Sequence, residues 1–258
     1  MKLNIGVPKS MKVAAMVQPW EDPLSGDDVG NLMAQADSLG FNKCMLGEHF
    51  IIPQEHVALS GDWYFHTVVA LGFIGGRSKN LRLSSSVSIL PLQNPIVQAK
   101  AWSTLDWLSG GRAEALFGVG WLKEEFDILG VPFAKRGRMA DEYLAAMIEL
   151  WTKDQPVFEG EFVNFKNVGF APKPIQKGGV PIWLGGDAEA GAESFAGIGT
   201  AAIVAIFGIF AILVLEFGNF RSTLIVLTVV PLGIFGGLMM LLITGNDISF
   251  TASIGFIA

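Results

Sequence analysis

Residues 90–121, LPLQNPIVQAKAWSTLDWLSGGRAEALFGVGW, restrict the possible folds of this chain more than any other stretch. Pro91 and Pro95 mark a turn ahead of a helix, along which Ile96, Ala99, Lys100, Trp102, Ser103 and residues 105–108 follow at helical spacing. Gly110 and Gly111 end that helix, since glycine accepts the left-handed backbone that closes one. Residues 113–119 then form a short apolar run bounded by glycine, the pattern of a buried strand. Helix, tight turn, strand and a loop opening into another helix make a parallel α/β unit.

The alternation recurs on both sides. Residues 4–7 and 13–18 are both short strand candidates, and the second is the preferred first barrel strand. Asp27 or Asp28 caps a helix running to Leu39, and Gly40 ends it. Residues 42–46 form the second strand, with Gly47-Glu48-His49-Phe50 at its C-terminal end. A loop to Gly61 leads to a helix over about 63–74, and residues 81–89 read as the third strand. Residues 90–121 supply the next helix and the fourth strand. A short helix (123–129) and a longer one (136–151) follow, the latter with Met139, Tyr143, Met147, Leu150 and Trp151 on one side. Residues 157–165 read as a hairpin insertion, and residues 181–184 as the fifth strand, ending at Gly185-Gly186. Five βα units predict the first part of an eight-stranded (β/α)8 TIM barrel, incomplete in this chain.

Charge shows where the alternation stops. The chain has 258 residues and a net charge of -6. Its mean hydropathy of +0.46 is high for a soluble enzyme. The excess is local: beyond residue 194 the only charged residues are Glu216, Arg221 and Asp247. Residues 199–217 carry one charge, near the end of the run, and residues 223–243 carry none. About 20 apolar residues cross a hydrocarbon core of about 30 Å as a helix. Two transmembrane helices are therefore expected over about 199–217 and 223–243, with the start of a third from about 250. A buried helical hairpin in a large soluble protein is the alternative. The expected division is a domain over residues 1–190 and a membrane segment over 191–258. The acidic balance argues against a nucleic-acid partner, and Cys44, the only cysteine, excludes an internal disulfide and suits a reducing compartment. The N-terminus lacks the apolar core of a signal peptide, so the first domain is expected in the cytoplasm.

Barrel enzymes place their chemistry at strand C-termini. His49 is there, and imidazole exchanges protons near neutral pH; a histidine that only ties neighbouring loops together is the plainer reading. Glu48 either supports His49, contacts a cofactor, or is a solvated or capping carboxylate. Gly118, Gly120 and Trp121 end the fourth strand. Glycine there lets the backbone approach a ring or a phosphate, or simply makes a tight turn. Glu124, Glu125 and Asp127 read as a solvated helix face, and Asp106 with Arg112 as a structural ion pair. The spacing of His49, His56 and His66 matches no metal-ligand pattern, so no metal is expected.

Two resemblances follow from these motifs. LGEHF (46–50), LPLQNPIVQAK (90–100), STLDWLSGGRAEALFGVGWLKEEF (103–126), LGVPFAKRGRMADEYL (129–144), LWTKDQPVFEGEFVNF (150–165) and PIWLGGDAE (181–189) resemble the luciferase-like monooxygenase family. That resemblance implies an oxidoreductase with FMN or coenzyme F420 across the barrel mouth, hydride transfer to or from the ring, and a small-molecule substrate. It implies that His49 lies near the ring and that a strained, bulged peptide at Ser86–Val87 backs it. It also implies that Gly185 and Gly186 contact the cofactor. FGNFRS (217–222), VPLG (230–233) and TGNDISFTASIG (244–255) resemble a membrane segment of resistance-nodulation-division efflux transporters. The two halves imply different topologies, so the chain reads as a chimera joined between about Asp187 and Ser194, with impaired cofactor binding. The alternative functions are a membrane-embedded transporter fragment and a non-functional fusion.

Overall fold

The computed structural model describes residues 2–13, 17–185 and 218. The chain divides into two units, Met1–Asp187 and Ala188–Ala258, and the architecture below is that of the first. The expected spans at 199–217 and 223–243, the helix start at 250, and Gly186 lie outside the described residues. Among the described residues no helix is long and apolar enough to cross a membrane.

The unit is an α/β fold on a parallel sheet. Strands β1 (Asn4–Gly6), β2 (Lys43–Leu46), β3 (Arg82–Ser85), β4 (Ser88–Ile89) and β5 (Ala113–Gly118) precede a hairpin, β6 (Phe158–Glu159) with β7 (Asn164–Phe165), and then β8 (Ile182–Leu184). β1 pairs β2, β2 pairs β3, β3 and β4 pair one side of β5, and β8 pairs its other side, all parallel. Five strand positions thus run in chain order, joined by helical crossovers, as the βα alternation predicts.

The first strand is Asn4–Gly6; of the preferred residues 13–18, 14–16 lie outside the described residues. Its register against Lys43–Met45 is continued by Val7 N–H donating to Met45 O (2.9 Å), while Met11 only bridges Tyr64. The expected third strand over 81–89 is interrupted. Leu83 pairs Ala113 and Ser84 pairs Glu114, but Ser88 pairs Phe117 and Ile89 pairs Gly118. The segment carrying β3 and β4 has therefore gained one residue on its partner, a bulge. Ser86 and Val87 lie in it, joined by a cis peptide, where the resemblance places the strained link.

The helices are α1 (Gly26–Ser38), α2 (Gln54–Ser60), α3 (Thr67–Arg77), α4 (Pro95–Leu108), α5 (Lys123–Ile128) and α6 (Arg136–Thr152). Ser25, not Asp27 or Asp28, caps α1: its hydroxyl accepts from Asp28 N–H, and Asp28 reaches back to Ser25 N–H (2.8 Å). This is the reciprocal capping box, which places the acidic residue at the third helical position rather than at the cap. α2 and the later start of α3 replace the expected loop to Gly61 and helix from 63. α4 begins as its sequence predicts, with Pro95 in the first turn and Asn94 Oδ1 accepting from Ile96 N–H (2.9 Å).

Trp102 of α4, with no exposure, packs edge-on to Phe117 of β5 (5.9 Å between centroids). Met139, Tyr143, Met147, Leu150 and Trp151 of α6 are buried as their spacing predicts, and Trp151 Nε1 donates to Ala99 O (2.9 Å), joining α6 to α4. The expected Asp106–Arg112 pair is not made. Asp106, fully buried, accepts from Ile175 N–H (2.8 Å), Gln176 N–H (3.2 Å) and Gln176 Nε2 (2.7 Å). Arg112 instead donates to Ser109 O and Gly75 O, carbonyls at the C-terminal ends of α4 and α3, and to Leu81 O and Ser78 Oγ.

Candidate active site at the strand C-termini

His49 stands three residues past β2, as expected, at the end of the sheet to which all the parallel strands point. Its Nδ1 lies 2.7 Å from Glu125 Oε2, and its side chain is 11% exposed. Tyr64 and Trp121 meet the ring edge-on, at centroid distances of 4.9 and 6.1 Å. Burial, and then the nearby Glu125 carboxylate, push the Tyr64 phenol above its ordinary pKa.

Glu125 is the residue the sequence reading missed. Its place between Glu124 and Asp127 predicts a solvated face, yet it has no exposure. Its Oε1 accepts from Phe50 N–H (2.6 Å) and Ile51 N–H (3.3 Å). α5 presents Glu125 inward, beside buried Phe126, while Lys123, Glu124 and Asp127 face outward. The signal was the apolar Leu122 and Phe126 around it, which mark the inner side of a short helix.

Glu48 is 4% exposed, so it is not solvated. Its carboxylate accepts from Thr67 N–H (3.2 Å) at the start of α3, from Ser88 Oγ (2.8 Å) and from Gln93 Nε2 (3.3 Å). The capping role is thus present, and it also fastens the β2 end to β4.

Ser86 and Val87 are half-buried, and Val87 lies against Gly118 and Gly185. A Cβ on Gly118 would come 2.9 Å from Val87 Cγ2, and one on Gly185 2.4 Å from Val87 Cγ1. Those glycines make room for Val87, which lies between the ends of β5 and β8. Gly185 N–H also donates to Phe117 O (2.7 Å). Gly120, at φ +82, faces Phe126 and Ile89 closely and serves the turn. Arg136 donates to its carbonyl (3.1 Å) while stacked over Phe133. Trp121, 52% exposed, touches both His49 and His56. The structure therefore brings His49 and Trp121 together and Val87 together with Gly118 and Gly185, while the Glu48 carboxylate turns to Thr67, Ser88 and Gln93.

His56 does not join His49. Its Nε2 lies 3.8 Å from carboxylates of Glu55 and Glu124, and ligand atoms of the three lie within 4.8 Å of one another. No metal was expected from the histidine spacing, which could not show Glu124 folding back over α2. The cluster is exposed at Glu55, and groups of this kind are common without an ion.

The luciferase-like monooxygenase family matches residues 10–209. The chain belongs to this family. The AcrB/AcrD/AcrF family matches residues 176–258 and overlaps that match. An uncharacterised Mycobacterium tuberculosis (strain H37Rv) protein is 36% identical over 162 residues, 58% of this chain and 57% of that protein. The FMNH(2)-dependent dimethylsulfone monooxygenase of Pseudomonas putida is 34% identical over 113 residues, 42% of this chain and 31% of its own. Monooxygenase RslO1 from Streptomyces bottropensis superposes with a TM-score of 0.59 at 25% identity, over 71% of this chain and 53% of that one. An F420-dependent secondary alcohol dehydrogenase in complex with an F420-acetone adduct gives 0.55 at 21% identity, over 72% and 53%, a likeness of fold. The chain thus spans little more than half the length of the M. tuberculosis relative and of either solved structure, and about a third of the dimethylsulfone monooxygenase.

Proposed function

We propose that this luciferase-like chain is an oxidoreductase that works with FMN or coenzyme F420 and a small-molecule substrate at the C-terminal mouth of a TIM-barrel sheet. The observation that supports this reading is an imidazole three residues past the end of β2, together with an apolar ledge at Val87 between Gly118 and Gly185. A flat heteroaromatic ring fits such a ledge. Val87, set between Gly118 and Gly185, is a shallow apolar support without projecting polar groups. Ser86, Val87, Gly118, Gly120, Trp121, Gly185 and Gly186 are the residues that would hold the ring, with Glu48 fixing the loop beneath His49. The bound cofactor would supply hydride acceptance or donation. His49 takes or gives the accompanying proton, and Trp121 shields it from bulk water.

Titrating the purified full chain with FMN and with F420 tests this. One of them should give a saturable fluorescence change, but only at the high cofactor concentrations that the impaired binding expected of this chain requires. His49→Ala should keep that saturation while lowering turnover by about 10²-fold or more, the scale of a lost general acid–base group. Absence of saturation with either cofactor overturns the proposal.

A second reading concerns the other unit. The AcrB/AcrD/AcrF match over residues 176–258, with its two long apolar runs, supports membrane attachment of a chimeric chain. After expression, the chain is expected to stay with the membrane pellet through alkaline carbonate extraction. Release into the supernatant sinks that reading.

A further inference from the structure

The two oxygens of Glu125 face different demands. Oε1 meets two backbone N–H groups, those of Phe50 and Ile51. A peptide N–H can only donate, so the atom in that position must accept. The other carboxylate atom, Oε2, is then left for His49 Nδ1 at 2.7 Å. A neutral imidazole carries its proton on one nitrogen, and the partner of the other decides which. A carboxylate oxygen as partner draws the proton to Nδ1 and leaves Nε2 with a lone pair.

We infer that Glu125 is a positioning residue that holds His49 in its Nδ1–H tautomer and so makes Nε2 a proton acceptor. In serine proteases, changing the aspartate behind the catalytic histidine to asparagine keeps the geometry but gives the wrong tautomer. The same logic applies here with a sharper constraint, because the backbone donors of residues 50 and 51 fix which way an amide must face. In Glu125→Gln, the amide oxygen goes to the two N–H groups and the NH2 group faces Nδ1. His49 Nδ1 must then accept, and its proton moves to Nε2. His49 is thereby set to receive a proton from an O–H or N–H group of its substrate rather than to donate one first. This last step rests on the acid–base role of His49 proposed above; the tautomer assignment does not.

Nitrogen-15 spectra of histidine-labelled full chain, recorded where His49 is neutral, test the inference. His49→Asn identifies the His49 signals among the three histidines. In the wild-type chain, Nδ1 should show the protonated type of shift and Nε2 the unprotonated type. In Glu125→Gln the two should exchange, with the Phe50 and Ile51 amide signals little moved. A wild-type spectrum with the proton on Nε2 overturns the inference by itself, whether or not the variant folds. An unchanged tautomer in a folded variant does so too. If the exchange occurs while His49→Ala leaves turnover intact, Glu125 positions His49 as inferred and the acid–base role of His49 fails.

Discussion

Cys44 lies on β2 with no exposure, among Leu46, Leu83 and the other core side chains. Burial pushes its thiol up to about 12 from an ordinary value near 9. Between those two values the folded chain keeps the proton and the unfolded chain releases it. Stability therefore falls as pH rises from about 9 toward about 12, because the unfolded state binds fewer protons there. Cys44→Ala removes this contribution, so the difference between variant and parent in urea-unfolding midpoint should shift in favour of the variant as pH rises through that window. A pH-independent difference would show that the thiol does not carry the linkage. The native thiol should also resist alkylation at pH 8 and react on unfolding, since the reactive form is the thiolate. Such inward placement was partly legible: Cys44 sits between Lys43 and Met45 in a strand-length run. Glu125 was not legible in the same way, because a carboxylate between two other acidic residues looks solvated until its backbone partners, 74 and 75 residues earlier, are seen.

Elements whose boundaries are set by local chemistry were the easiest to read. α4 starts at an Asn-Pro pair and stops at Gly110-Gly111, and both signals act within a few residues. α6 shows its buried face through spacing alone. Composition favours residues 13–18, the more apolar run, yet the ladder to β2 picks out Asn4–Gly6. α2 was missed because seven residues, QEHVALS, carry too little amphipathic pattern to stand out. Alternation across 81–89 likewise does not disclose an added residue, since a bulge changes pairing and not composition. At the site, His49, Val87, Gly118 and Gly185 were legible as residues at strand ends. What they face was not: Gly118 and Gly185 answer first to Val87, a contact across three strands.

At the scale of the whole unit, the two ends of the sheet gather different side chains. The C-terminal ends gather His49, Trp121 and the Val87 ledge. At the N-terminal ends, Lys43 of β2 and Arg82 of β3 both engage Glu114 of β5, which is 7% exposed. Arg82 continues through Gln176 (3.2 Å) to Asp106 (2.7 Å), tying three strands to the loop before β8. An ion network of this kind holds neighbouring strands in register at the end of the sheet away from the proposed site. Glu114→Ala would leave Lys43 and Arg82 as neighbouring like charges on adjacent strands, with side chains only 18% and 32% exposed. Removing one partner of a buried ion group costs about 3 kcal/mol. The variant should unfold at a clearly lower urea concentration by far-UV circular dichroism, while any saturable FMN or F420 response below its transition stays as in the parent. His49→Ala should show the opposite pattern, with lost turnover and little change in urea midpoint. A Glu114→Ala chain as stable as its parent would mean the network contributes nothing net. A loss of cofactor response in a folded Glu114→Ala chain would mean that the two ends of the sheet are coupled rather than divided.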